Sequence, residues 1–201
     1  MENPHIRKAV PGDLQDIMGL VASSVGKMRA SGNWSQWSET YPGKSIIAND
    51  IQEGTCYVIL DGSEAVGSFV FKPGPDPTYD EIYEGRWLDD HSPYHVVHRL
   101  TSSPDAHGLF GTMLEFCGKL TRNMRVDTHR DNVTMRHLLE KHGFTYCGII
   151  HIENGDERLA YQKCGEIRDC IRKILSFRRS LCTFVGTTRG CSGFDSIDVG
   201  W

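Results

Sequence analysis

Tyr94 to Thr121 reads YHVVHRLTSSPDAHGLFGTMLEFCGKLT, and its periodicity changes part-way along. The first half is rich in β-branched and aromatic residues and the middle is Ser, Pro, Asp and Gly. The last part places Leu109, Met113, Phe116, Cys117 and Leu120 at helical spacing. Strand, turn, helix is the reading. A helix opened by a glycine-bearing turn leaves its first backbone N–H groups unpaired and the positive end of its dipole free, which suits an anionic phosphate.

On the N-terminal side, TCYVILDGSEAVGSFVFK predicts a hairpin, with strands Thr55 to Leu60 and Ala65 to Phe71 around Asp61-Gly62. Before it, His5 to Val10 is a strand candidate and Pro11-Gly12-Asp13 a turn. Leu14, Ile17, Met18, Val21, Val25 and Met28 then give an amphipathic helix to about Ala30. Trp34, Trp37 and Tyr41 lie in a loop of turn formers, which reads as a cap on the core or as a wall of a substrate pocket. Ile46 to Ile51 can form a short helix. The proline-rich and acidic stretch PGPDPTYDEIYEGRWLDD predicts a long surface connection with a possible edge strand at Tyr79 to Tyr83 and with solvated acids.

On the C-terminal side, Asn123 to Thr128 is a buried strand. Asp131 or Asn132 can cap a helix running to about His142, closed by Gly143. Phe144 to Glu153 and Glu157 to Lys163 form a second hairpin around Asn154-Gly155. The order predicts an α/β (α+β) domain over residues 1–163, with one central mixed, mostly antiparallel sheet and helices on both faces. Residues 164–201 differ in kind: a short amphipathic helix from Ile167 to Leu175 precedes an irregular tail rich in Gly, Ser and Thr. That segment reads as a surface helix and frayed end, with dimerisation or membrane contact as the alternative; a homodimer is left open.

A net charge of -4 in 201 residues gives no basis for a nucleic-acid or membrane-surface partner. The seven cysteines are scattered without a C-x-x-C pair, so they read as reduced packing residues. Without an apolar leader or a span of about 18 apolar residues, a cytoplasmic protein is expected. Asp127, His129 and Asp131 have too generic a spacing to predict a metal site, and none is expected.

These elements, in this order, resemble the GNAT superfamily of acyl-CoA-dependent N-acyltransferases over roughly His5 to Lys163. The strongest matches are the strand-turn-helix at Tyr94 to Leu120 and DTHRDNVTMRHLLEKHGF, which is similar to the family's strand, Asn-bearing helix start and closing Gly-Phe. The resemblance implies that the turn and helix start at His107, Gly108, Leu109, Phe110, Gly111 and Thr112 hold the pyrophosphate of acetyl-CoA. It also implies that the strand end at Leu100, Thr101 and Ser102 pairs with the pantetheine arm, and that Asn132 contacts the cofactor. A backbone N–H near Arg99 or Leu100 would stabilise the oxyanion. The sequence departs from the family where Asp105 stands in place of a basic residue, where the second glycine position falls on Phe110, and where Leu139 replaces the usual tyrosine acid. Tyr146, Tyr94 or water could replace that acid.

Candidates for general base are His98 and His95, then Glu84 and Asp89. Strict alternation sends Tyr94, Val96, His98 and Leu100 to one face and His95, Val97, Arg99 and Thr101 to the other. His98 is preferred as the catalytic residue, because a histidine that titrates near ~6.5 suits proton removal at neutral pH. Trp37, Tyr41, Asp127 and His129 are the candidate acceptor contacts. The expected function is direct transfer of an acetyl group from acetyl-CoA to a primary amine of a small molecule. The alternative is a non-catalytic acyl-CoA-binding or sensing domain of the same fold, favoured by Asp105, Phe110 and Leu139.

Overall fold

A computed structural model describes residues 4–38 and 40–165. The expected helix and tail after Cys164 fall outside the described residues. Seven strands form one sheet: β1 (His5–Lys8), β2 (Cys56–Asp61), β3 (Glu64–Pro73), β4 (His95–Ser102), β5 (Asn123–Thr128), β6 (Thr145–His151) and β7 (Glu157–Cys164). Their spatial order is β1-β2-β3-β4-β5-β7-β6. Every neighbouring pair is antiparallel except β4 and β5, which run parallel. Four helices join them: α1 (Leu14–Ala30), α2 (Lys44–Gln52), α3 (Leu109–Leu120) and α4 (Val133–Lys141). This is the mixed, mostly antiparallel architecture that the sequence predicts.

Period-two alternation divides the strands between two apolar layers. On one face Tyr57, Ile59, Phe69, Phe71, Val97 and Val126 pack against Leu109, Phe110, Met113 and Cys117 of α3 and Leu139 of α4. On the other, Val58, Leu60 and Val70 meet Ile17 and Val21 of α1 and Ile47 and Ile51 of α2. Helices therefore cover both faces. The stretch beyond α1 and α2 is closed by the connection after β3, whose Tyr79 and Trp87 bury against Val96, Ile150 and Ala160.

That connection departs from its sequence reading. Pro77–Tyr79 is a turn of 3₁₀ helix capped by the Asp76 side chain, which accepts from Thr78 N at 3.0 Å, so no strand runs from Tyr79 to Tyr83. Tyr83 bridges the free edge of β6 at Ile149, and Arg86 N donates to Cys147 O. Arg125 holds the segment from beneath. It is 1% exposed, its guanidinium lies 4.0 Å from the centre of the Trp87 ring and 3.9 Å from that of Tyr94, and it donates to Asp89 O and Asp90 Oδ1. Gly85 sits directly on β6: a Cβ there would stand 2.0 Å from the Cys147 carbonyl oxygen. Gly85→Ala is therefore expected to destabilise the fold by about 1–3 kcal/mol through overpacking, read as a lower denaturant midpoint.

Candidate active site

The parallel ladder between β4 and β5 is short. It pairs His95 with Met124, Val96 with Arg125 and Val97 with Val126, and goes no further. Beyond Val97 the two strands part, and a cavity of about 580 Å³ opens at the gap. Leu100, Phe110, Asn132 and Met135 line it towards the α3 and α4 side. Asp76, His98, Asp127 and Arg158 line it towards the other.

A bulge re-aims β4 at this point. Val70 pairs with His98 and Ser68 with Thr101, so Arg99 and Leu100 together oppose Phe69. Arg99 takes φ +51°. The bulge overturns the strict alternation expected from sequence. Leu100 packs with the α3 layer. Arg99 turns to α2, where its Nε and one terminal nitrogen grip Asp50 at 2.8 and 2.7 Å and the other donates to Tyr41 Oη at 3.2 Å. Thr101 Oγ1 lies 2.6 Å from Ser68 Oγ, buried.

His98 stands between two carboxylates. Its Nε2 lies 3.1 Å from Asp76 Oδ2, and its Nδ1 lies 3.7 Å from Asp127 Oδ1. Asp76 is 4% exposed, and Lys72 Nζ meets the same Oδ2 at 2.8 Å. Burial alone would raise the Asp76 pKa, but the His98 and Lys72 contacts outweigh it and hold the carboxyl well below the usual carboxylate range. An ionised carboxylate only accepts, so Nε2 carries the proton and donates it to Asp76. The ring's Nδ1 then faces Asp127. Asp127 also accepts from Tyr79 Oη at 2.6 Å. Burial, then the neighbouring Asp127 charge, pushes the Tyr79 phenol far above its ordinary value, so it stays protonated. The assembly can hold an imidazole in one tautomer and orientation and take up one proton at Nδ1.

The other candidate bases lie elsewhere. His95 stacks on Phe71 on the opposite face, with ring centres 4.7 Å apart. Asp89 caps the N–H groups of His91 and Ser92, and Glu84 is exposed and outside the cavity wall. Leu139 is 0% exposed in the core, so that helix position offers no acid. Tyr94 Oη accepts from Asp76 N, and Tyr146 stands 46% exposed on β6.

Of the residues assigned to the acceptor, Trp37, Tyr41 and Asp127 line the cavity. His129 does not, since its Nδ1 accepts from Asp131 N at 3.2 Å. The loop that carries Trp37 is tied down by Gln36, whose Oε1 accepts from Thr128 Oγ1, His129 N and Asn132 Nδ2. Asn132 thus both caps α4, through Met135 N, and braces the cavity.

At the start of α3, Gly108 takes φ +76°, where glycine is favoured, and no side chain caps the helix. The first-turn amides of Leu109, Phe110 and Gly111 therefore have no capping partner. The Phe110 ring is buried against Phe144 and His142. Asp105 and His107 are exposed. At the strand end, Ser102 N donates to Ser24 Oγ, and Lys27 Nζ reaches Ser102 Oγ at 3.1 Å and Ser103 O at 2.7 Å. Lys27 thus brings a positive charge to the turn that lacks a basic residue of its own.

Asp76, Lys72, Gln36 and Arg158 were not picked out from sequence. For Asp76 a signal existed: Asp followed by Pro and Thr is a capping pattern. Its approach to His98 had none.

The fold whose sheet parts beside this helix start recurs in solved acetyltransferase structures. A GNAT-family acetyltransferase from Streptococcus agalactiae 2603 is 34% identical, with a TM-score of 0.73 and coverage of 81% of this chain and 96% of that one. A GNAT-family acetyltransferase from Listeria monocytogenes 4b F2365 is 23% identical, with a TM-score of 0.60 and coverage of 80% and 94%. No family model matches the sequence, and no curated protein does. On the first of these likenesses, the chain belongs to the GNAT family of acetyltransferases.

Proposed function

We propose that this protein transfers an acetyl group from acetyl-CoA directly to a primary amine of a small molecule, with His98 as general base. The observation that carries the reading is the His98 imidazole, fixed by Asp76 where β4 and β5 part. Acetyl-CoA would supply the activated thioester. The free amides of Leu109, Phe110 and Gly111 fit its pyrophosphate, with Lys27 nearby, and the edge of β4 just beyond Val97, which β5 no longer covers, fits an extended arm. His98 Nδ1 would take one proton of the incoming ammonium, the amine nitrogen would bond to the acyl carbon as the carbon–sulfur bond breaks to release a thiolate, and the second amine proton would pass to water. A backbone N–H at the bulge of Arg99 and Leu100 would face the carbonyl oxygen. With Leu139 in the acid position, the thiolate leaves without a tyrosine proton.

The second reading, an acyl-CoA sensor, is favoured by Leu139, by Phe110 in place of a glycine and by the exposed Asp105. Acetyl-CoA at about one hundred times its Kd is expected to stabilise the fold by ~2.7 kcal/mol, which is several degrees in Tm. No shift at millimolar acetyl-CoA would overturn both readings. Thiol release across a panel of primary amines then separates them: turnover supports the enzyme, and binding without turnover supports the sensor.

A further inference from the structure

The geometry points to an acceptor that carries a carboxylate beside its amine, with Arg158 as the residue that receives it. This rests on the acetyl-transfer reading and names its substrate class. Arg158 lines the cavity and is 5% exposed. Among the described residues its hydrogen-bond partners are two backbone carbonyls, Glu157 O at 2.9 Å and Gln36 O at 3.5 Å. Three other guanidiniums behave differently: Arg99 has Asp50, Arg125 has Asp90, and Arg7 has Asp13, each at 2.7 Å. Among the described residues no carboxylate lies within 4.0 Å of Arg158. A guanidinium cannot shed its charge, and burying one unpaired is costly. Left open on a cavity wall, its planar fork matches a carboxylate.

The sheet register places this cation at a useful distance. Asp127 pairs with Ala160 across β5 and β7, and Arg158 is two residues along β7, so all three share one face. Diagonal neighbours of this kind stand roughly 7–8 Å apart between α-carbons. One end of the cavity, at His98 and Asp127, suits an ammonium, and the end at Arg158 suits an anion. A short zwitterion spans the two, and a simple alkylamine leaves Arg158 unanswered.

Matched pairs test this on the full chain: amino acids against their carboxamides, which keep the amine and lose the charge. Acids are expected to exceed amides about 10- to 100-fold in kcat/KM. Arg158→Gln should bring acids down to the amide level without changing the KM for acetyl-CoA, and Arg158→Lys should keep part of the preference. Amides that react as well as acids, or an R158Q loss shared equally by both, would overturn the proposal. The wild-type pairs decide it even if R158Q does not fold. Calorimetric titration of the same pairs separates the two readings. Acids that bind selectively without any amine being acetylated leave the anion site standing and remove acetyl transfer. Turnover of other amines, with acids neither bound nor acetylated, removes this proposal alone.

Discussion

His98→Ala is expected to lower kcat/KM for the amine about 10²- to 10⁴-fold at neutral pH, with the acetyl-CoA thermal shift retained. The expectation follows from where the imidazole protons sit. Asp76 commits Nε2–H, so Nδ1 is the only nitrogen able to take a proton from the acceptor. Asp76 stays ionised through the neutral range. Its folded pKa is depressed, so its stabilising effect is complete above the unfolded carboxylate value of about 3.9 and fades only as pH falls from there towards the folded value. Asp76→Asn keeps the shape but frees the ring to flip tautomer, and should reduce kcat more than it raises KM. Added imidazole should restore part of the H98A rate. Wild-type kcat/KM in H98A would remove His98 from the chemistry.

What sequence shows of this site depends on whether a residue acts through its own strand or through a distant partner. The hairpin of β2 and β3, the apolar stripe of α1 and the turn before α3 are local patterns, and each forms about where periodicity puts it. His98 is legible as a histidine near a strand end. Its partner is not, because PGPDPTYDEIYEG has the composition of a solvated loop, and Asp76 is buried only because Tyr79 and Trp87 dock on the sheet around it. The bulge is hidden for a different reason. Arg99 is no glycine, so nothing in its identity announces φ +51°, and counting by twos assigns Leu100 and Thr101 to the wrong faces. Arg158 reads as an ordinary polar position on a hairpin strand until the gap between β4 and β5 exposes it to a cavity.

Asp50→Ala is expected to cost about 3–5 kcal/mol of stability, because it strands the Arg99 guanidinium in a site with little water. The Arg99 side chain is 14% exposed and that of Asp50 7%. Burial works against the Arg99 charge, yet the two-pronged contact to Asp50 prevails and holds its pKa above the ordinary value. In a chain of this size the loss corresponds to a Tm lower by about 10 °C. The penalty belongs to the orphaned charge more than to the pair. Asp50→Leu combined with Arg99→Met should therefore recover most of the stability, since apolar residues of similar volume commonly replace a buried pair at little cost. An unchanged midpoint in D50A would show that Arg99 finds water or another partner. Activity should not recover with stability. Arg99 sits at φ +51°, a conformation that costs a non-glycine residue about 1–3 kcal/mol, and the contacts of its side chain to Asp50 and Tyr41 hold it there. Without them the bulge can relax into a regular strand, which would return Leu100 to the face of His98. The double variant is therefore expected to melt near the wild-type temperature while its kcat stays depressed. That separation would mark the ion pair as a device for shaping the strand rather than for holding the fold.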